Sequence, residues 1–194
     1  MSEAVRIAVD AMGGDYAPAE TVKGAIDAVK ENADICVVLV GKEELISEEL
    51  KKYQYPSEQV EIVDAREIVE TGEPPVLAIR KKKDASLVKA LTLVKEGNCD
   101  CYVSAGSTGA TLVGGQLLVG RIKGVERPPL APIIPTVKGC SLLLDCGANV
   151  DAKPSNLVQF AKMGSIYMEH VMKVPNPTVG LLNIGAEEER GMRW

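Results

Sequence analysis

Small and hydroxylated residues are concentrated at positions 104–110, where the sequence reads Ser-Ala-Gly-Ser-Thr-Gly-Ala. An apolar run, residues 101–103, leads into this segment, and a helix-compatible run, residues 111–121, leads out of it. Glycines let a backbone turn sharply and come close to a ligand, and the first N–H groups of a helix have no partner within that helix. The segment therefore predicts an anion site built from backbone N–H groups and hydroxyls. Its candidate residues are Ser104, Gly106, Ser107, Thr108 and Gly109.

An ordinary strand-to-helix turn, capped by Ser107 or Thr108, explains the same residues equally well. The segment matches neither G-x-x-x-x-G-K-[ST] nor G-x-G-x-x-G, so it gives no reason to expect a nucleotide.

Three further loops carry polar side chains directly after predicted strands, and they begin at residues 10, 145 and 183. In open α/β sheets, ligands bind in the crevice beyond the carboxyl ends of the strands, so we expect the four loops to share one site. The candidate residues of these three loops are Asp10, Gly13, Gly14, Asp15, Asp145, Asn149, Asp151, Asn183 and Gly185.

Four of the aspartates, Asp10, Asp15, Asp145 and Asp151, also suit a Mg²⁺ site, although helix and turn capping accounts for the same carboxylates. We predict neither a metal nor an organic cofactor. The single histidine, His170, falls near the end of a predicted helix and away from the four loops. A Ser-His-Asp or Cys-His nucleophile is therefore not expected.

Strand and helix patterns alternate along most of the chain, which predicts an α/β fold with a largely parallel sheet covered on both faces. We expect one α/β domain spanning residues 1–194. The irregular segment 66–75 is predicted to be a loop, and Asp84 is expected to cap the helix that follows it. The predicted strands are 5–10, 35–40, 60–63, 101–103, 141–145 and 178–182, with an extended edge segment at 130–136. The predicted helices are 19–32, 42–53, 85–96, 111–121 and 155–173.

Composition narrows the functional class. The chain has 194 residues, a net charge of −5, 46% hydrophobic residues and only 4% aromatic ones, so its core must be aliphatic. An acidic chain with one short basic run, residues 80–83, does not fit a duplex nucleic-acid binder. No apolar run approaches the ~18 residues of a membrane-spanning helix, and no signal-peptide layout opens the sequence. Five cysteines without zinc spacing predict reduced, buried thiols in a cytoplasmic protein.

Four motifs, in order, closely resemble the PlsX family of phosphate acyltransferases of bacterial fatty-acid and phospholipid synthesis. They are Asp-Ala-Met-Gly-Gly-Asp at 10–15, Val-Ser-Ala-Gly-Ser-Thr-Gly-Ala at 103–110, Leu-Asp-Cys-Gly-Ala-Asn-Val-Asp at 144–151 and Leu-Leu-Asn-Ile-Gly at 181–185. The resemblance implies transfer of a fatty acyl group from acyl carrier protein to inorganic phosphate, giving acyl phosphate. It also implies a three-layer α/β/α fold like that of the isopropylmalate dehydrogenases and phosphotransacetylases, and a homodimer.

The resemblance also implies roles for individual residues. Lys83 or Arg80 would offset phosphate charge, and Lys83 is preferred because the family pattern keeps a basic residue there. Asn149 would donate to a substrate oxygen, and Asp10 or Asp151 would orient a base or a hydroxyl. We therefore list Asp10, Lys83, Asn149 and Asp151 as catalytic candidates, and the remaining loop residues and Arg80 as phosphate-binding candidates.

The chain departs from the family pattern in three ways. Ser107 stands where the family usually has an asparagine, and Ala85 stands where it commonly has a serine. Family members also continue for well over a hundred residues more. We expect this chain to be the N-terminal part of a longer protein whose remainder carries dimer and membrane-facing elements, giving peripheral membrane contact. Two other functional interpretations fit the same sequence. One is a phosphotransacetylase-like enzyme that uses a coenzyme A thioester, and the other is a non-catalytic regulatory or lipid-binding module.

Overall fold

The structure, a computed structural model, describes residues 4–149 and 151–182. The chain divides into two compact units, residues 1–120 and 121–194, each of which is described by itself.

Unit 1 is built on a parallel sheet of four strands. These are β1 (Val5–Asp10), β2 (Ile35–Gly41), β3 (Val60–Asp64) and β4 (Cys101–Val103), in the order β3-β2-β1-β4. β1 is the central partner: it pairs with β2 from Val5 opposite Ile35 onward, and with β4 from Ile7 opposite Cys101 onward. Because the strands are parallel, β1 and β4 end at the same edge of the sheet.

Both faces of this sheet are covered, which gives the three layers that the sequence predicts. Alternate residues of a strand point to opposite faces. On β2, Val37 and Leu39 pack with α1 (Ala19–Glu31) and α2 (Glu43–Leu50), whereas Val38 and Val40 pack toward α4 (Ser86–Lys95). The apolar residues of both faces are mostly Val, Ile, Leu and Ala, so the core is aliphatic as expected.

Two further helices stand beside β4. α3 (Pro75–Lys81) packs on α5 (Thr108–Gly114), and a π-helical turn, Gly115–Val119, continues α5. Ile79 of α3, Leu87 and Leu91 of α4, and Ala110 of α5 share a third apolar cluster. α5 begins three residues earlier than the sequence predicts, because the cap lies at Ser107.

The prediction that Asp84 caps α4 is wrong. The residue at the cap position is Ala85, and no side chain caps this helix. The Asp84 carboxylate instead accepts from the backbone N–H of Arg66 at 3.2 Å and pairs with Lys89. Asp84 therefore joins the loop that follows β3 to the first turn of α4.

Unit 2 contains a two-stranded antiparallel sheet and one long helix. β5 (Ile133–Thr136) pairs with β6 (Gly139–Leu142), and α6 (Pro154–His170) follows. α6 buries Phe160, Gly164 and Met168 along one side, together with Asn156 in its first turn. His170 is exposed at the end of this helix, close to where the sequence places it.

Two strand predictions in unit 2 are wrong. Residues 141–145 were expected to form a buried parallel strand, but only Ser141 and Leu142 are in a strand, and that strand is antiparallel and partly exposed. Residues 178–182 are irregular, and Leu182 is 82% exposed. An apolar run forms a buried strand only when neighbouring strands complete its hydrogen bonds and other elements cover its faces. Among the described residues, residues 141–142 pair with β5 alone, and residues 178–182 have no strand partner. No helix in the described ranges is long and apolar enough to cross a membrane.

Candidate active site

Two of the four predicted loops meet at the carboxyl edge of the unit 1 sheet. Residues 11–18 leave β1, and residues 104–107 leave β4, its direct neighbour. The strand pairing places Val9 opposite Val103, so both chains enter their loops at the same level. Parallel pairing therefore brings together segments that lie about ninety residues apart in the sequence.

A hydrogen-bond chain joins these two loops. The Ser104 hydroxyl donates to Asp10 Oδ2 at 2.8 Å, and the Gly106 backbone N–H donates to Ser104 Oγ at 2.9 Å. Asp10 is 2% exposed, and its second oxygen, Oδ1, is buried with no hydrogen-bond partner among the described residues. The Ser104 hydrogen is thus directed at Asp10, and the Gly106 N–H is directed at Ser104.

The glycines of both loops fit closely around this chain. A Cβ on Gly13 would lie 2.5 Å from Asp10 Oδ2 and 2.8 Å from Ser104 Oγ, distances that real Cβ atoms do not show. A Cβ on Gly106 would lie 3.2 Å from the Gly13 Cα. Gly14 has a φ of +107°, a conformation that side chains with a Cβ rarely adopt. The Gly13-Gly14 pair and Gly106 are therefore required by close approach and by backbone conformation.

The start of α5 is fixed from two sides. Ser107 Oγ accepts from the Ala110 N–H at 3.2 Å, which is an N-cap. The Tyr102 hydroxyl lies 3.2 Å from Thr111 Oγ1 and so connects β4 to α5. Burial raises the pKa of the Tyr102 phenol above its ordinary value, so this group is neutral at physiological pH. Thr108 is exposed, and a Cβ on Gly109 would lie 3.1 Å from Pro75 of α3.

The four basic residues at 80–83 differ in what they contact. Lys82 is half-buried and donates to the Ile68 carbonyl at 2.7 Å while pairing with Glu73. Arg80, Lys81 and Lys83 are exposed, and the Lys83 ammonium donates to the Ile79 carbonyl at 3.2 Å. The Lys82 pair lowers the pKa of Glu73 below its ordinary value. Lys82 thus holds the loop before α3, which leaves the other three charges facing solvent.

The third predicted loop lies in unit 2, where Asp145 organises it. Its carboxylate accepts from the Leu130 N–H through Oδ1 and from the Asn149 N–H, at 2.6 Å, through Oδ2. The Asn149 side-chain amide donates to the Pro128 carbonyl at 3.2 Å. The Asp151 carbonyl accepts from Arg127 at 3.3 Å. Asp145 therefore fixes the loop backbone with both of its oxygens.

Comparison with known proteins places the chain in a family. The family described as "Fatty acid synthesis protein" matches residues 5–194. A phosphate acyltransferase of Clostridium novyi (strain NT) is 54% identical over 187 residues, covering 96% of this chain and 56% of the relative. A phosphate acyltransferase of Clostridium kluyveri (strain ATCC 8527) is 58% identical over 185 residues, covering 95% of this chain and 55% of the relative.

The chain belongs to the fatty acid synthesis protein family.

Two solved structures share the family's fold. A phosphotransacetylase from Streptococcus pyogenes superposes with a TM-score of 0.65 at 15% identity, covering 90% of this chain and 56% of that one. A phosphotransacetylase from Staphylococcus aureus gives a TM-score of 0.58 at 20% identity, covering 81% and 51%. These likenesses agree with the predicted α/β architecture. The chain spans about 55% of the length of the family relatives that it matches.

The structure brings together one group of the candidate residues of this family member. Asp10, Gly13, Ser104 and Gly106 are in mutual contact in unit 1. The candidates Asp145, Asn149 and Asp151 lie in unit 2. Asn183 and Gly185 fall outside the described residues.

Sequence reasoning missed two residues of the site, Tyr102 and Pro75. The first connects β4 to α5, and the second packs on Gly109. A tyrosine two residues before Ser104 was a signal, because the hydroxyl of a tyrosine that packs against a core needs a hydrogen-bond partner. The contact of Pro75 depends on how α3 packs, and no local pattern carries that information.

The cysteine prediction is correct in part. All five thiols are free, and Cys36 and Cys99 are buried, but Cys101 and Cys146 are exposed. Among residues 4–149 and 151–182, no group of three or more His, Cys, Asp and Glu side chains is placed to hold a metal ion.

Proposed function

We propose that the protein containing this chain transfers a fatty acyl group from acyl carrier protein to inorganic phosphate, giving acyl phosphate for phospholipid synthesis. The observation that carries this proposal is the pair of interlocked loops at residues 10–15 and 104–109, in a chain whose relatives are named phosphate acyltransferases. Glycine backbone at close approach, with N–H donors beside it, suits a tetrahedral anion.

Phosphate is itself a nucleophile, so the reaction needs no nucleophilic side chain. A phosphate oxygen attacks the thioester carbonyl carbon, the C–O bond forms, and the C–S bond breaks. The proton of hydrogen phosphate ends on the departing sulfur, which leaves acyl phosphate and a free thiol. The protein's task is to hold the anion beside the thioester and to stabilise the oxyanion that develops on the carbonyl.

The described residues support the proposed role of holding the anion. The N–H groups of Ser107, Thr108 and Gly109 have no backbone partner among the described residues, so they can face an anion. Arg80 lies in the last turn of α3 and Lys83 follows that helix, and both side chains are exposed, while Pro75 at the start of α3 packs beside Gly109. Cations near this loop would offset the charge of phosphate and attract an acidic carrier protein.

The other parts of the proposal concern the whole protein. As the family resemblance implies, Asn149 would donate to a substrate oxygen and Asp151 would orient a base or a hydroxyl, while Asp145, Asn183 and Gly185 are candidates for binding substrate or phosphate. A homodimer, a cytoplasmic location and peripheral membrane contact accompany the activity in this proposal.

The test is a direct assay for acyl phosphate, trapped as its hydroxamate. It uses the 194-residue chain and an extended form that restores the length of the relatives, with acyl carrier protein or coenzyme A thioesters as donors. We expect phosphate-dependent acyl phosphate from the carrier-protein donor with the extended form. A preference for coenzyme A thioesters would instead identify a phosphotransacetylase-like enzyme. Failure of both forms to turn over either donor or to bind phosphate would favour a non-catalytic module.

A separate substitution tests the proposed phosphate site. In Gly106→Val, the new side chain must push against Gly13 and Ser104, so phosphate binding should be lost. Gly115→Ala is the matched control, because a Cβ there meets nothing within 4 Å. Isothermal titration with inorganic phosphate, together with a circular-dichroism check of folding, measures both. Unchanged phosphate affinity in a folded Gly106→Val protein would place the anion elsewhere.

A further inference from the structure

The carboxylate of Asp10 is buried at the centre of the two interlocked loops, with only one of its oxygens bonded. Oδ2 accepts from Ser104, while Oδ1 is buried and has no partner among the described residues. Burying a carboxylate that is half-paired costs free energy that an apolar residue would not. The fold of β1 alone gives no reason for an aspartate here, since Ala8 and Val9 before it are ordinary core residues.

The Asp10 carboxylate sets the direction of the hydrogen bond from Ser104. A hydroxyl has one hydrogen and two lone pairs, and a carboxylate is a strong acceptor. With its hydrogen committed to Asp10, Ser104 Oγ presents a lone pair, which accepts the Gly106 N–H at 2.9 Å. Hydrogen bonds in such a chain polarise and strengthen one another. The orientation of the Gly106 peptide therefore depends on Asp10 through Ser104.

The packing around this chain makes it the contact point of both loops. The Gly13 backbone lies against Asp10 Oδ2 and Ser104 Oγ, and the Gly106 backbone lies against Gly13 and Ser104. If the Asp10–Ser104 hydrogen bond were lost, the backbone of residues 104–107 would lose its fixed partner. Asp10 itself is too deeply buried, at 2% exposure, to meet a substrate directly.

We infer that Asp10 is a positioning residue, which acts through Ser104 to hold the 104–107 backbone in the shape that binds phosphate. This inference rests on the proposed function, because it assigns a role within the proposed phosphate site. It differs from a role for Asp10 as a proton acceptor in the reaction. The structural requirement is for an acceptor oxygen facing Ser104, and an asparagine can supply that oxygen without being able to take a proton.

The experiment compares phosphate KM and kcat in the extended form for Asp10→Ala, Asp10→Asn, Ser104→Ala and the double variant Asp10→Ala/Ser104→Ala. Asp10→Ala and Ser104→Ala should each raise the KM for phosphate about tenfold with kcat within about threefold, as expected when binding alone is weakened. The double variant should lose no more than either single one, because both changes break the same chain. Asp10→Asn should restore the parent KM to within about threefold, since one oriented hydrogen bond is retained. Asp27→Asn and Ser57→Ala, at exposed positions without side-chain partners in the described part of the chain, are the matched controls.

The outcomes separate the inference from the proposed function. A parent enzyme that makes no acyl phosphate would contradict the function itself. An active parent in which Asp10→Asn loses kcat as severely as Asp10→Ala would overturn the inference and make Asp10 a proton-transfer group. Additive losses in the double variant would overturn it as well. If Asp10→Ala does not fold, the Asp10→Asn and Ser104→Ala pair decides between the same outcomes.

Discussion

At the scale of single residues, the shape of the proposed anion site depends more on its glycines than on charged side chains. Gly13 and Gly106 allow two loop backbones to approach the Asp10–Ser104 hydrogen bond from different strands. Replacing either glycine would require Asp10, Ser104 or the Gly13 backbone to move. The anion site proposed here is therefore a property of backbone packing, in which Ser104 and Asp10 set the spacing.

Gly13→Ala is a direct test of that packing. The added Cβ would lie 2.5 Å from Asp10 Oδ2, so the Asp10–Ser104 pair must separate. We expect a loss of about 1–3 kcal/mol in the free energy of unfolding, typical of overpacking, and weaker phosphate binding. Urea unfolding and phosphate titration measure the two effects.

The control for this variant is Gly24→Ala in α1, where a Cβ meets nothing within 4 Å. An alanine there should stabilise the helix by about 0.5–1 kcal/mol, because glycine is the weaker helix former. Equal stability of Gly13→Ala and the parent would show that the loops are looser than the contacts around Asp10 indicate.

At the scale of elements, a charged pair connects strands at the end of the sheet opposite the interlocked loops. Arg6 of β1 reaches across β2 to Glu61 of β3 with two hydrogen bonds, of 2.6 and 2.7 Å. The hydrogen bonds from Arg6 hold the pKa of Glu61 below its ordinary value. The two side chains are 37% and 48% exposed, so solvent screens much of this interaction.

Glu61→Gln should make the stability of the protein less dependent on acid. A carboxyl whose pKa is lower in the folded state stabilises the fold above its unfolded pKa of about 4.3, and that stabilisation disappears as the pH falls through the folded value. The difference in unfolding free energy between parent and variant should be at most about 1 kcal/mol at pH 7 and should vanish at low pH. Urea unfolding across this range measures it, with Glu58→Gln as the exposed control. A difference that persists unchanged at low pH would show that Glu61 acts through packing.

The helix α3 and its basic end lead to a prediction about charge. Lys83 is exposed and Lys82 is held by Glu73 and Ile68, so only the former is available to a ligand. Lys83→Ala should raise the KM for phosphate or for the carrier-protein donor about three- to tenfold, and less at high salt because ions screen the attraction. Lys81→Ala removes the same charge two residues before the preferred position and is the control. If the two KM values of Lys83→Ala match the parent at low salt, the basic run is a solvated turn.

The elements also show what the sequence could and could not predict. Continuous apolar runs such as residues 35–40 predict buried strands correctly, because their neighbours, β1 and β3, lie on both sides. The run at 178–182, Thr-Val-Gly-Leu-Leu, is also largely apolar, but it has no strand partner in the described ranges and is irregular. Both site loops were predicted from small residues after strands. The hydrogen bond from Ser104 to Asp10 was not, since it joins residues 94 positions apart and depends on strand order.

At the scale of the whole molecule, the apolar core is concentrated in unit 1. All three clusters of buried apolar residues found in the described part of the chain lie between residues 7 and 118. The interlocked loops stand on this core, at the end of its central strand. Unit 2 buries residues chiefly along one side of α6, around Phe160 and Met168. The phosphate site proposed here thus belongs to the better-packed part of the chain, as a preorganised anion site requires.

The proposed reaction also predicts which groups across the whole molecule are dispensable. Direct attack by phosphate needs no acyl-enzyme, so neither the only histidine nor any cysteine should be essential. Cys146 is the thiol that most needs testing, because it is exposed within the loop that Asp145 organises, and a thioester could pass its acyl group there. The double variant Cys146→Ala/His170→Ala of the extended form should turn over within about tenfold of the parent, equivalent to about 1.4 kcal/mol of barrier. Steady-state assays and intact-protein mass spectrometry under single turnover are the measurements. A loss of several orders of magnitude in a folded variant, or an acyl group trapped on Cys146 of the parent, would replace direct displacement with a two-step mechanism.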